Sequence, residues 1–102
     1  PTGEWLDLEI RQTSQGRETN SDFRSGITVA ACIADDRVRM SLCVPWEAFG
    51  RAPAVSGEVW RANLFRCVGA GETRGYLAWQ PTHTEVPSFH EPQAFGALHF
   101  CD

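Results

Sequence analysis

The chain has 102 residues, with hydrophobic residues at 42%, charged residues at 22% and a net charge of −4. That length suits one compact domain with a single core, and the apolar content is enough to fold it, so residues 1–102 are expected to form one domain with no disordered tract. The acidic balance, with all nine basic residues being scattered arginines, excludes nucleic acid held by phosphate neutralisation. Apolar runs also fall short of the roughly 20 residues a membrane-spanning helix needs, so no membrane partner is expected.

Trp5-Leu6-Asp7-Leu8-Glu9-Ile10 alternates strictly. This predicts a strand with Leu6, Leu8 and Ile10 on one face and Trp5, Asp7 and Glu9 on a wetter one. Gln12 to Ser25 is polar, with Phe23 as its apolar anchor, and reads as a long loop. Ile27–Ile33 and Val38–Val44 are β-prone runs flanking the turn-forming pair Asp35-Asp36, which predicts a hairpin with Ile33 opposite Val38. In that register Val29, Ala31 and Ile33 share an apolar face with Val38, Met40 and Leu42. Asp35-Asp36 is turn chemistry and not a calcium site, which needs six or more oxygens.

Pro45-Trp46-Glu47-Ala48-Phe49-Gly50 places Pro at a helix start and Gly at its end, predicting a single helical turn. Glu58 to Cys67 has apolar residues on both faces and predicts one central strand. Gly69 to Gly75 is a hairpin loop, since it lacks the Lys and following helix of a phosphate loop. Tyr76 to Phe100 holds aromatics, three histidines and three prolines between short apolar runs. That composition reads as a shaped surface loop of about fifteen residues pinned at both ends by strand, the last being Phe95–Phe100, and a binding surface is the first hypothesis for it. The total is about six strands and one short helical turn, and the expected class is an all-β, twisted antiparallel β-sandwich.

Cys32, Cys43, Cys67 and Cys101 lack Cys-x-x-Cys spacing and lie in apolar runs, so they read as small buried hydrophobes, with one disulfide as the alternative and no metal site. No nucleophile elbow or paired carboxylates can be read from spacing, and an enzyme is not expected.

Four spaced motifs then act together: Pro45-Trp46-x-Ala48-Phe49-Gly50, Gly57-x-x-Trp60-Arg61-x-Asn63-x-Phe65-Arg66, Tyr76-x-x-Trp79-x-Pro81-Thr82, and Phe89-His90-x-Pro92-x-x-Phe95-Gly96-x-Leu98-x-Phe100. In this order they resemble the C-terminal part of the family 9 carbohydrate-binding modules. The resemblance implies a non-catalytic β-sandwich that binds sugars between aromatic rings, commonly appended to secreted glycoside hydrolases, and so an extracellular or periplasmic setting. It implies a glycan or small sugar as partner and no cofactor. Folds similar to this one do carry haem on Met and His, but Met40, the sole methionine, falls on the apolar face of its hairpin. Family members have further strands before the one that Trp5–Ile10 resembles. The chain is then either a fragment or a shortened relative, and a shortened relative is expected to cover its strand edges as a homodimer.

A sugar site needs a flat ring for the C–H face of the pyranose and fixed polar groups for its hydroxyls. Trp79 is the candidate platform, either displayed at the mouth of the loop or packed beneath it. Tyr76 lies three residues before it. Arg66 and Asn63 either contact hydroxyls or hold the strands. His90 either fixes the loop backbone or faces ligand, and Trp5 either contacts ligand or is covered by a partner subunit.

Overall fold

The computed structural model describes residues 4–102. The described chain is all-β: eight short strands pair antiparallel, two by two, and three 3-10 turns are its only helical elements. It divides into two compact units, residues 1–53 and 54–102.

In the N-terminal unit, β1 (Glu9–Thr13) pairs with β2 (Gly16–Asn20), Ile10 opposite Thr19. The expected strand therefore starts later than Trp5, and the expected long loop contains a strand. Two features drive the change. The Asp7 carboxylate is taken by Ser25, whose backbone N–H and hydroxyl donate to Oδ2 at 2.6 and 2.5 Å, so residues 5–8 are held as a tether and not as ladder. Gly16, at φ 117°, closes a tight turn in which the Thr13 hydroxyl donates to the Gly16 carbonyl, a conformation favoured by a residue without Cβ. The expected sidedness is also reversed: Asp7 and Glu9 are half-buried while Leu6, Leu8 and Ile10 are exposed.

β3 (Thr28–Ile33) and β4 (Val38–Cys43) form the expected hairpin in the expected register, Ile33 opposite Val38 and Val29 opposite Leu42. The Ala34 and Arg37 backbones bond across the Asp35-Asp36 turn. The apolar face is uncovered, with Ile33 and Leu42 both 61% and Met40 50% exposed. Pro45 leads into the 3-10 turn Trp46–Phe49, which ends at Gly50 in the left-handed region, as the Pro and Gly positions predict.

In the C-terminal unit the expected single strand from Glu58 to Cys67 is broken into β5 (Val59–Ala62) and β6 (Phe65–Val68), which belong to different sheets. β5 pairs with β8 (Gly96–His99), and β6 with β7 (Gly75–Ala78). Trp60, half-buried, donates its indole N–H to Glu58 and packs edge-on against Phe100 at 5.0 Å. The Arg61 guanidinium donates to the Phe95 carbonyl, tying β5 to the chain entering β8.

None of the described residues is buried. The four cysteines, expected inside, are free and exposed. A two-stranded ribbon has few neighbours to cover its faces, so side chains that the alternation assigns to a core stay open to solvent.

Candidate functional site

The hairpin of β6 and β7, with the loop that follows it, gathers most of the candidate residues. Its cross-strand pairs are Phe65 with Ala78, Arg66 with Leu77 and Cys67 with Tyr76. Because successive side chains alternate, Phe65, Cys67, Tyr76 and Ala78 share one face, while Arg66 and Leu77 occupy the other. The pairing extends one residue further, since the Trp79 N–H donates to the Leu64 carbonyl at 2.9 Å. Trp79 is therefore on the Arg66 side, diagonal to it across the strands. It is 47% exposed.

Asn63 explains why the strand breaks here. Its side-chain N–H donates to the Gln80 carbonyl, and its Oδ1 accepts from the backbone N–H groups of Gln80 and Leu64, each at 2.9 Å. An amide that supplies both a donor and an acceptor to another segment replaces a rung of ladder with a corner. That corner carries Trp79 one residue away, and its indole lies against Gly96 of β8.

On the other side, Phe89 folds back onto the hairpin. Its ring centroid is 4.7 Å from that of Phe65 and 6.0 Å, edge-on, from that of Tyr76. The Arg74 guanidinium sits 5.6 Å from the centre of the Tyr76 ring, a cation–π contact. Between the loop and these rings is a hollow of about 430 Å³, lined also by Thr82, His83, Thr84 and Glu85. The far end of the loop is held by Glu91, which accepts from Ser88 at 3.0 Å and Gln93 at 2.5 Å, and by the 3-10 turn Pro92–Ala94.

The structure thus puts Trp79 and Arg66 on one side of a hairpin, with Asn63 at its corner, and Tyr76 on the other side in the hollow. His90 follows the Phe89 anchor and does not line the hollow. Trp5 belongs to the N-terminal unit, exposed and outside any strand. Phe65, His83 and Phe89 are the residues that sequence reasoning left unassigned. The signal available for the last two was their place in the loop already singled out as shaped. Among the described residues no group of histidine, cysteine and carboxylate side chains is placed to hold a metal ion.

An all-β scaffold that spends its longest irregular segment on positioning aromatic rings beside polar side chains belongs to the class of small binding domains. A family model described as carbohydrate-binding family 9 matches residues 25–100, about three quarters of the chain. The chain belongs to that family and is a carbohydrate-binding module. Comparison with curated proteins and with solved structures gave no match.

Proposed function

We propose that this module is non-catalytic and recognises a glycan by stacking a sugar ring on Trp79, with Arg66 donating to the hydroxyls of the same sugar. The observation that carries the reading is the half-exposed indole on the same side of the β6–β7 hairpin as an arginine whose side chain makes no hydrogen bond or ion pair among the described residues. An indole offers a flat apolar face to the C–H groups of a pyranose, and a guanidinium offers several donors in one plane to its rim. Asn63 acts through the corner it builds, fixing Gln80 and hence the direction of Trp79. Tyr76 and His90 shape the loop on the opposite side. A titration with neutral mono- and oligosaccharides, followed by tryptophan fluorescence, tests this. Saturable change in the native chain and about tenfold weaker binding in Trp79→Ala, some 1.4 kcal/mol, are the expected results. No response to any sugar at millimolar concentration removes the reading.

A second reading, an assembly domain that pairs as a homodimer, is favoured by the uncovered apolar face of β3 and β4 and by the exposed Trp5. Exposed apolar faces of that kind mark interaction surfaces. Solution mass separates the two, because a glycan-binding monomer and a sugar-inert dimer differ in both readouts.

A further inference from the structure

The hollow beneath the β7–β8 loop is not used by the Trp79 face: neither Trp79, Arg66 nor Asn63 lines it. Its floor is aromatic, built from Phe65, Tyr76 and Phe89, and its wall is a run of polar side chains, Thr82 to Glu85. The loop is braced from within. His83 adopts a left-handed backbone conformation at φ 57°, and the hydroxyls of Thr82 and Thr84 on either side of it bond to each other at 3.2 Å. A non-glycine residue held there has been placed by its surroundings, and such positions concentrate at binding sites.

We propose that this hollow is a second carbohydrate subsite, separate from the Trp79 platform, that takes one neutral pyranose ring; the proposal rests on the sugar-binding reading above. Three matches of chemistry support that occupant. The ring cluster offers apolar surface to the C–H face of a sugar. Threonine hydroxyls both donate and accept, as sugar hydroxyls do, and the Glu85 carboxylate accepts from them strongly. Glu85 is accompanied by no lysine or arginine in the lining, so the hollow disfavours uronic acids and sulfated sugars. A volume near 430 Å³ falls within the range of small-ligand sites, with room for one ring and its water. The fixed loop also lowers the cost of ordering on binding.

The test is a titration of the isotope-labelled full chain with cellobiose and with xylobiose, followed by amide and indole NMR shifts. Saturable shifts are expected at the backbone amides of Thr82 to Glu85 as well as at the Trp79 indole N–H. The loop shifts persist in Trp79→Ala, weaken about fivefold or more in Glu85→Ala with the Trp79 response intact, and are much smaller with glucuronic acid. If Trp79 responds and the loop amides stay still, the second subsite is overturned while the Trp79 reading stands. If Trp79→Ala abolishes the loop shifts as well, the two are one site and the proposal falls. If neither set moves, the sugar reading falls and this inference with it.

Discussion

The indole of Trp79 lies so close over Gly96 that a Cβ placed on Gly96 would come within 2.9 Å of Cη2 and 3.0 Å of Cζ3. Gly96 opens β8 and pairs with Ala62 of β5, so the ring on the β7 side rests on the backbone of the neighbouring ribbon. Substitution Gly96→Ala is expected to push the indole off this seat, because its ring is rigid and Gln80 Cγ crowds the same point at 2.9 Å. A shifted tryptophan emission and a several-fold weaker sugar affinity, with the far-UV spectrum of β structure retained, are the expected readouts. Unchanged emission and affinity would separate Gly96 from the site.

Asn63→Ala removes three hydrogen bonds at the corner and leaves both the N–H and the carbonyl of Gln80 without their partner. Loss of about 1–3 kcal/mol is expected for stranding part-buried backbone groups, measured by denaturant unfolding. Asn63→Asp keeps the acceptor and is expected to fall between the two. Equal stability of all three would show that water satisfies the corner.

Phe89→Ala detaches the loop from Phe65 and Tyr76. The ring is 37% exposed, so its removal is expected to cost less than that of a core phenylalanine, about 1–2 kcal/mol. The clearer readout is local. Amide exchange should accelerate across residues 82–90 and remain unchanged in β5 and β8; uniform acceleration would contradict the anchor role.

The Asp7 carboxyl is held below the ordinary carboxylate range, first by the hydrogen bond from the Ser25 hydroxyl and then by the Ser25 backbone N–H. A carboxylate depressed in the folded state binds its proton less readily than in the unfolded chain. Its contribution is therefore present above the unfolded value, near pH 4, and is lost as pH falls through the lower folded value. Ser25→Ala is expected to flatten the acid limb of the stability profile below about pH 4, and an identical limb in the variant would contradict this. Exposure keeps the effect small.

All four cysteines are free and exposed, and a thiol reagent is therefore expected to modify four sulfurs per chain under native conditions. Cys32 and Cys43 lie on the β3–β4 face opposite Val29, Ile33 and Leu42, so retarded reaction, released only by denaturant, would show that these thiols are covered in solution.

The sequence by itself determined the features whose causes are local. Alternating apolar residues around Asp35-Asp36 set the β3–β4 register, because a slip of one residue would exchange its two faces. Pro45 and Gly50 bracketed a helical turn, because each restricts or frees one backbone dihedral. The spaced Trp, Pro, Phe and Gly motifs, and with them the carbohydrate-binding family, were likewise visible in the chain alone. Tertiary structure decided the rest. The break at Asn63 depends on Gln80, 17 residues away, and the tether at Asp7 on Ser25, 18 away, and neither partner is marked by spacing. The β2 strand carries no apolar alternation at all, so only its pairing with β1 reveals it. Whether Trp79 is displayed or covered, and that Phe65, Tyr76 and Phe89 meet around a hollow, depends on where the loop folds back. Contacts between distant segments fix that, and a linear pattern does not encode them.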